Sequence, residues 1–189
     1  MFAFTALLFV LYFLGTANSS SFSGSHALLA HAHPLHARAL ASRSVNIFQR
    51  AEFLNAHNEV RLVHGAVPLT WSTSLAEKAE QWANQCQFKH TEGVLSTERY
   101  GENISAGTGL FTIRKAVGTF TADEDQYDPK HPSYLHFTQV VWKATTQLGC
   151  AVAQCDGIFD KSQGKASLYV CLYDPVGNVI GQAPENVQV

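Results

Sequence analysis

Nine histidines, four cysteines and fifteen acids are the side chains of this 189-residue chain that could do chemistry. His26, His31, His33 and His36 crowd an Ala/Leu-rich tract and read as part of a low-complexity leader. Further on, His57 lies on a helix face and His136 opens a short apolar segment. Glu102 sits in Tyr100-Gly101-Glu102-Asn103, and Asp123, Glu124 and Asp125 follow a third helix. Two histidines with carboxylates in one cleft suit a divalent transition metal such as zinc. There is no G-x-S-x-G and no glycine-rich phosphate loop, so neither an activated serine nor nucleotide chemistry is indicated. His64 and His90 carry no pattern that assigns them a role.

Composition narrows the setting. Hydrophobic residues make up 46% and charged residues 15%, enough apolar material for a real core. The net charge of −2 averages two unlike parts. Residues 18–50 carry three arginines and no acid, whereas residues 51–189 hold 10 basic against 15 acidic side chains. No strong basic field exists to recruit nucleic acid. Phe2 to Leu14 is nearly all apolar and ends in Gly15-Thr16-Ala17. That run is shorter than the roughly 20 residues a membrane-spanning helix needs. It reads as a cleaved secretory signal over residues 1–17. Residues 18–46 follow as a flexible His/Ala/Ser-rich leader, and residues 47–189 as the folded domain, extracellular and without a transmembrane segment.

The elements that must position the histidines can be read from periodicity. A helix is expected from Ile47 to Val63, with Ile47, Ala51, Leu54 and Asn58 on one side and Leu54, His57 and Arg61 on another. A second carries Leu75, Ala79, Trp82, Ala83 and Cys86 on its buried stripe, with Ser74 and Glu77 at capping-box spacing. A third runs from about Thr112 to Glu124 with Ile113, Ala116, Val117 and Phe120 inward. His136 to Trp142 reads as a short helix. Gly149 to Gln154 and Ser167 to Tyr173 read as strands, with a further strand near Asn103. Helices first and a small antiparallel sheet later define an α+β layered domain. In an oxidising compartment the cysteines should form two disulfides. Cys150 with Cys155 would be a tight loop that leaves Cys86 with Cys171, and the other pairings stay open.

Several segments, in order, resemble the CAP superfamily (SCP/TAPS), which includes the class 1 pathogenesis-related proteins. They are Phe53 to Arg61, Pro68-Leu69-Thr70-Trp71, Trp82 to Cys86, Gly101-Glu102-Asn103-Ile104, His136 to Lys143, and Tyr169 to Asn178. The resemblance covers about residues 50–189 and is to the short secreted fungal or plant type. It implies a three-layer α-β-α sandwich and the disulfides Cys86–Cys155 and Cys150–Cys171. It also implies a cleft with His57, His136, Glu102 and Asp123, where His57 and His136 would hold a divalent metal such as zinc. Asp123 stands where relatives usually have Glu, and Phe120 where they have Trp.

The same resemblance implies binding of sterols or other small lipids through an aromatic loop, here Tyr127 to Leu135. Tyr127 and Tyr134 supply aromatics, whereas Pro129 replaces a second aromatic and Leu135 a glycine. A fatty acid between helices is a separate family site. The expected protein is therefore a secreted, non-enzymatic binder of a small hydrophobic ligand, in lipid export or host interaction. A metal-dependent hydrolase with Glu102 as base, and a protein-interaction module, are the alternatives. Asn103-Ile104-Ser105 is formally a glycosylation sequon, but Asn103 belongs to the family motif and is expected to be structural.

Overall fold

A computed structural model describes residues 45–189. The expected signal peptide, and the leader up to residue 44, lie outside the described residues. Among the described residues the first helix begins at a capped end. Asn46 Oδ1 accepts from the backbone N–H groups of Phe48 and Gln49, and the Gln49 side chain accepts from Asn46 N–H. This reciprocal box satisfies amides that a helix start leaves unpaired.

Five helices and four strands follow: α1 (Ile47–Val63), β1 (Thr70–Trp71), α2 (Thr73–Ala83), β2 (Gly101–Thr108), α3 (Ile113–Phe120), α4 (His136–Val141), β3 (Gln147–Cys155), β4 (Ala166–Asp174) and α5 (Ala183–Asn186). The strands form one sheet in the order β1-β3-β4-β2. β2, β3 and β4 are antiparallel, and β1 joins β3 in parallel. The expected layers are present. Leu168, Val170 and Leu172 of β4 pack with α2 on one face, while Tyr169, Cys171 and Tyr173 pack with α1, α3 and α4 on the other. The α2 layer lies so close that a Cβ on Gly149 would sit 2.2 Å from the Ala76 nitrogen, so only glycine fits there.

Both disulfides follow the pairing implied by the family resemblance, Cys86–Cys155 and Cys150–Cys171. Cys150 and Cys171 are direct cross-strand partners. Among the described residues no helix is long and apolar enough to cross a membrane.

Several local expectations are corrected. On α1 the buried stripe is Phe53, Ala56, His57 and Arg61, so Ile47 and Ala51 face solvent. The cap of α2 is Ser72, which accepts from Leu75 N–H, two residues before the expected one. That helix also ends at Ala83, and Cys86 lies beyond it in a left-handed conformation with φ of 55°. α3 stops at Phe120 rather than Glu124, because Asp123 is drawn away to hold the start of α4.

Arg61 locks α1 to the rest. Its side chain is fully buried and donates to the carbonyls of Val67 (2.8 Å), Val140 (2.8 Å), Trp142 (2.9 Å) and Thr145 (2.8 Å). Lysine cannot reproduce this planar fork. Arg61→Lys should lower unfolding free energy by about 3 kcal/mol, since several charge-assisted bonds to buried carbonyls are lost together. Urea denaturation of the two proteins checks this, and a change under about 1 kcal/mol would contradict it.

Candidate functional site

The four residues assigned to one cleft separate: His57 belongs to the core, Glu102 pairs with His90, and Asp123 pairs with His136. His57 is 0% exposed. Its Nδ1 lies 2.8 Å from the Phe53 carbonyl and its Nε2 lies 2.9 Å from the Tyr173 hydroxyl. A carbonyl can only accept, so Nδ1 carries the proton and Nε2 accepts from Tyr173. Tyr173 in turn accepts from Asn103 Nδ2 (3.2 Å), which also donates to the His136 carbonyl (3.1 Å). Burial pushes the His57 pKa down to about 4. The ring therefore stays neutral, with both nitrogens engaged. It also lies beside Cys150 and Cys171, with ligand-type atoms mutually within 4.8 Å. Those sulfurs are joined in a disulfide and offer no thiolate, so this cluster is not a fitting metal site.

Glu102 projects from β2 to a histidine that its sequence position did not single out. His90 Nδ1 lies 2.6 Å from Glu102 Oε1. The backbone N–H and hydroxyl of Thr91 also donate to this carboxylate. The Glu102 hydrogen bond raises the His90 pKa above its ordinary value. Sequence reasoning missed His90 because the contact joins an irregular segment to a strand, and no periodicity marks it. A cavity of about 300 Å³ opens here, lined by His90, Glu102, Gln139 and Asn178 among others.

Asp123 and His136 form the second pair. Asp123 Oδ2 accepts from the His136 backbone N–H and faces His136 Nδ1, both at 3.1 Å, while Oδ1 accepts from Phe137 N–H at 3.0 Å. The carboxylate thus works as the N-terminal cap of α4. Glu124, beyond the end of α3, points instead to His64 at 3.5 Å. The two pairs are neighbours through adjacent residues of β2, since Glu102 holds His90 and Asn103 holds the His136 carbonyl.

The loop from residue 127 to 135 turns its aromatics inward. Tyr127 is buried against Phe137, with ring centroids 6.5 Å apart, and the Tyr134 hydroxyl accepts from Gly181 N–H. Pro129 and Lys130 are exposed, and His131 pairs with Asp128 at 2.9 Å. Four buried side-chain polar atoms among the described residues have no hydrogen-bond partner. Two of them, Tyr127 Oη and Ser133 Oγ, belong to this loop.

A mixed four-stranded sheet between α-layers, two disulfides and paired His–carboxylate groups beside the sheet define the class. Residues 54–173 match the Cysteine-rich secretory protein family, CAP, and the chain belongs to it. Fruiting body protein SC14 of Schizophyllum commune is 38% identical over 151 residues, spanning 72% of this chain and 67% of that protein. Pathogenesis-related protein 1B of Nicotiana tabacum is 36% identical over 146 residues, spanning 70% and 79%. Secreted protein RBT4 of Candida albicans is 37% identical over 141 residues, which are 71% of this chain and 37% of that longer protein. The solved structure of BmVAL-1 shares the fold, with a TM-score of 0.60 at 24% identity over 71% of this chain and 80% of that one.

His57 makes stability depend on pH. Its folded pKa lies below the ordinary 6.5, so the unfolded chain binds more protons between about pH 6.5 and 4. Its contribution is complete above 6.5 and is lost as pH falls, by about 3 kcal/mol for a shift of this size. His90, shifted upward, works in the opposite direction. Urea midpoints at pH 7 and pH 4.5 should fall more steeply for the wild type than for His57→Gln. Equal slopes would contradict the assignment.

Proposed function

We propose that the protein is a secreted, non-catalytic carrier that captures a small amphipathic lipid, a sterol or a fatty acid, for lipid export or host interaction. The observation that supports this is the pair of unpartnered hydroxyls, Tyr127 Oη and Ser133 Oγ, under the same aromatic-ended loop. A buried hydroxyl without a partner costs free energy. A sterol carries one hydroxyl on an apolar body, and a fatty acid one carboxyl. Either polar head would satisfy the two hydroxyls while the body lies along apolar surface. Secretion is supported by the apolar run from Phe2 to Leu14, by two disulfides, and by a relative named as a secreted protein.

Titration of the purified protein with a fluorescent sterol and with a labelled fatty acid tests the reading. Saturable binding of one of them is expected, weakened about tenfold in the Tyr127→Phe, Ser133→Ala double variant. The same variant should be no less stable than wild type without ligand, because it removes two unsatisfied groups. Absence of saturable binding to both lipids would overturn the proposal.

A second reading, divalent metal binding, is favoured by one geometric fact. His90 and His136 each turn Nδ1 to a carboxylate, and neither Nε2 has a hydrogen bond among the described residues. Metal-bound histidines commonly show this arrangement, in which the carboxylate fixes the tautomer and the ring. The metal pair is thereby reassigned from His57 with His136 to His90 with His136, because His57 has no free nitrogen. A bound zinc ion would supply Lewis acidity. Each carboxylate is already held by three donors, the His136 and Phe137 groups on Asp123 and the His90 and Thr91 groups on Glu102, so each is oriented toward its own histidine and the adjoining backbone. This disfavours the hydrolase. Zinc calorimetry should show a loss of 10–100-fold for Glu102→Gln and a comparable or larger one for His90→Ala, while His57→Gln leaves affinity unchanged. Sensitivity to His57 alone would reject the reassignment.

A further inference from the structure

A second groove lies away from the aromatic loop, where the start of α2, the segment 96–100 and the ends of β3 and β4 meet. Its volume is about 180 Å³. Leu75 and the ring of Tyr100 give it an apolar side. The tyrosine is held in place by its hydroxyl, which lies 2.6 Å from Thr91 Oγ1 and accepts from Leu95 N–H at 3.4 Å. On one wall Lys78 Nζ donates to Ser96 Oγ at 3.3 Å.

Four further side chains line the same groove: Glu98, Arg99, Gln147 and Asp174. Among the described residues no hydrogen bond or ion pair engages any of these side chains. Two carboxylates, a guanidinium and an amide thus share one groove without satisfying one another. A free cation would meet Arg99 and Lys78, and a free anion would meet Glu98 and Asp174. A purely apolar ligand would strip water from all of them and return no bonds.

A neutral polyol avoids each of these conflicts. Neighbouring hydroxyls donate to carboxylates and accept from guanidinium, and the amide serves in both directions. The C–H face of a sugar ring supplies apolar surface to lie against the half-buried Tyr100 ring and the edge of Leu75 at the floor of the groove. We propose that this groove binds a saccharide, through one pyranose ring of a neutral glycan. The size agrees, since sites for drug-sized ligands run to roughly 300–1,000 Å³ and this one has room for a single ring. The groove shares no residue with the 127–135 loop, so sugar binding is separate from the lipid reading and can hold or fail independently of it.

Saturation-transfer NMR and calorimetry on the full chain test the proposal with cellotriose, laminaritriose, triacetylchitotriose and a sulfated heparin hexasaccharide. At least one neutral trisaccharide should bind saturably, with transfer strongest at the protons of one ring. Arg99→Ala and Glu98→Gln should each weaken it about tenfold. Both residues are exposed, so both variants should keep the wild-type urea midpoint and the wild-type lipid titration. The proposal is overturned if no neutral sugar binds at millimolar concentration. It is also overturned if only the sulfated sugar binds, or if neither variant changes the affinity.

Discussion

A single line of hydrogen bonds ties the sheet to the helices on one of its faces. It runs from the Phe53 carbonyl through His57 and the Tyr173 hydroxyl to Asn103, and on to the His136 carbonyl. It joins α1 to β4, β4 to β2, and β2 to α4. Each member is both oriented and satisfied by the next, which is the condition under which a buried polar network specifies one arrangement instead of weakening the core. The line works only with His57 neutral. A second proton on the ring would turn Nε2 into a donor and leave the Tyr173 O–H without its acceptor. Burial and hydrogen bonding therefore agree on one tautomer.

The two surface pairs depend on that line for their placement. Asn103 positions the first turn of α4, and the neighbouring Glu102 reaches out to His90. One strand thus sets both histidines while its alternate residues bind the core. Asp123, beyond the end of α3, lies against the backbone of α4 and serves as its cap. The loop that follows is drawn in by Tyr127 and Tyr134, so its exposed rim is Pro129 and Lys130.

Much of this was legible in the sequence, for physical reasons that differ from element to element. Helical spacing put His57 and Arg61 on one side of α1 without fixing that it is the buried one, whereas strict alternation gave the two-sided packing of β4. The disulfide pairing came only from the family resemblance, because spacing alone left it open. The end of α3 is placed too late because no glycine or proline stands between Phe120 and Pro129, and the demand of α4 for Asp123 as its cap explains the earlier stop. Cys86 kept the period of α2 yet lies outside it. His90 was invisible, since its partner stands twelve residues away across an irregular segment with no repeat to follow. Periodicity reports which face is buried, whereas caps and loop-to-strand contacts depend on what the finished fold brings near.

The position of Asn103 sets an order of events during biosynthesis. Asn103-Ile104-Ser105 is an acceptor sequence for N-linked sugar, yet the folded asparagine is 1% exposed and its amide is committed to two partners. In a compartment that carries the transferase, the sequon is open only while β2 is unpaired. Pairing of β2 with β4 withdraws it, and a glycan attached earlier would keep the strand from closing. In such a compartment, reaching this structure requires that strand closure come before glycosylation of Asn103.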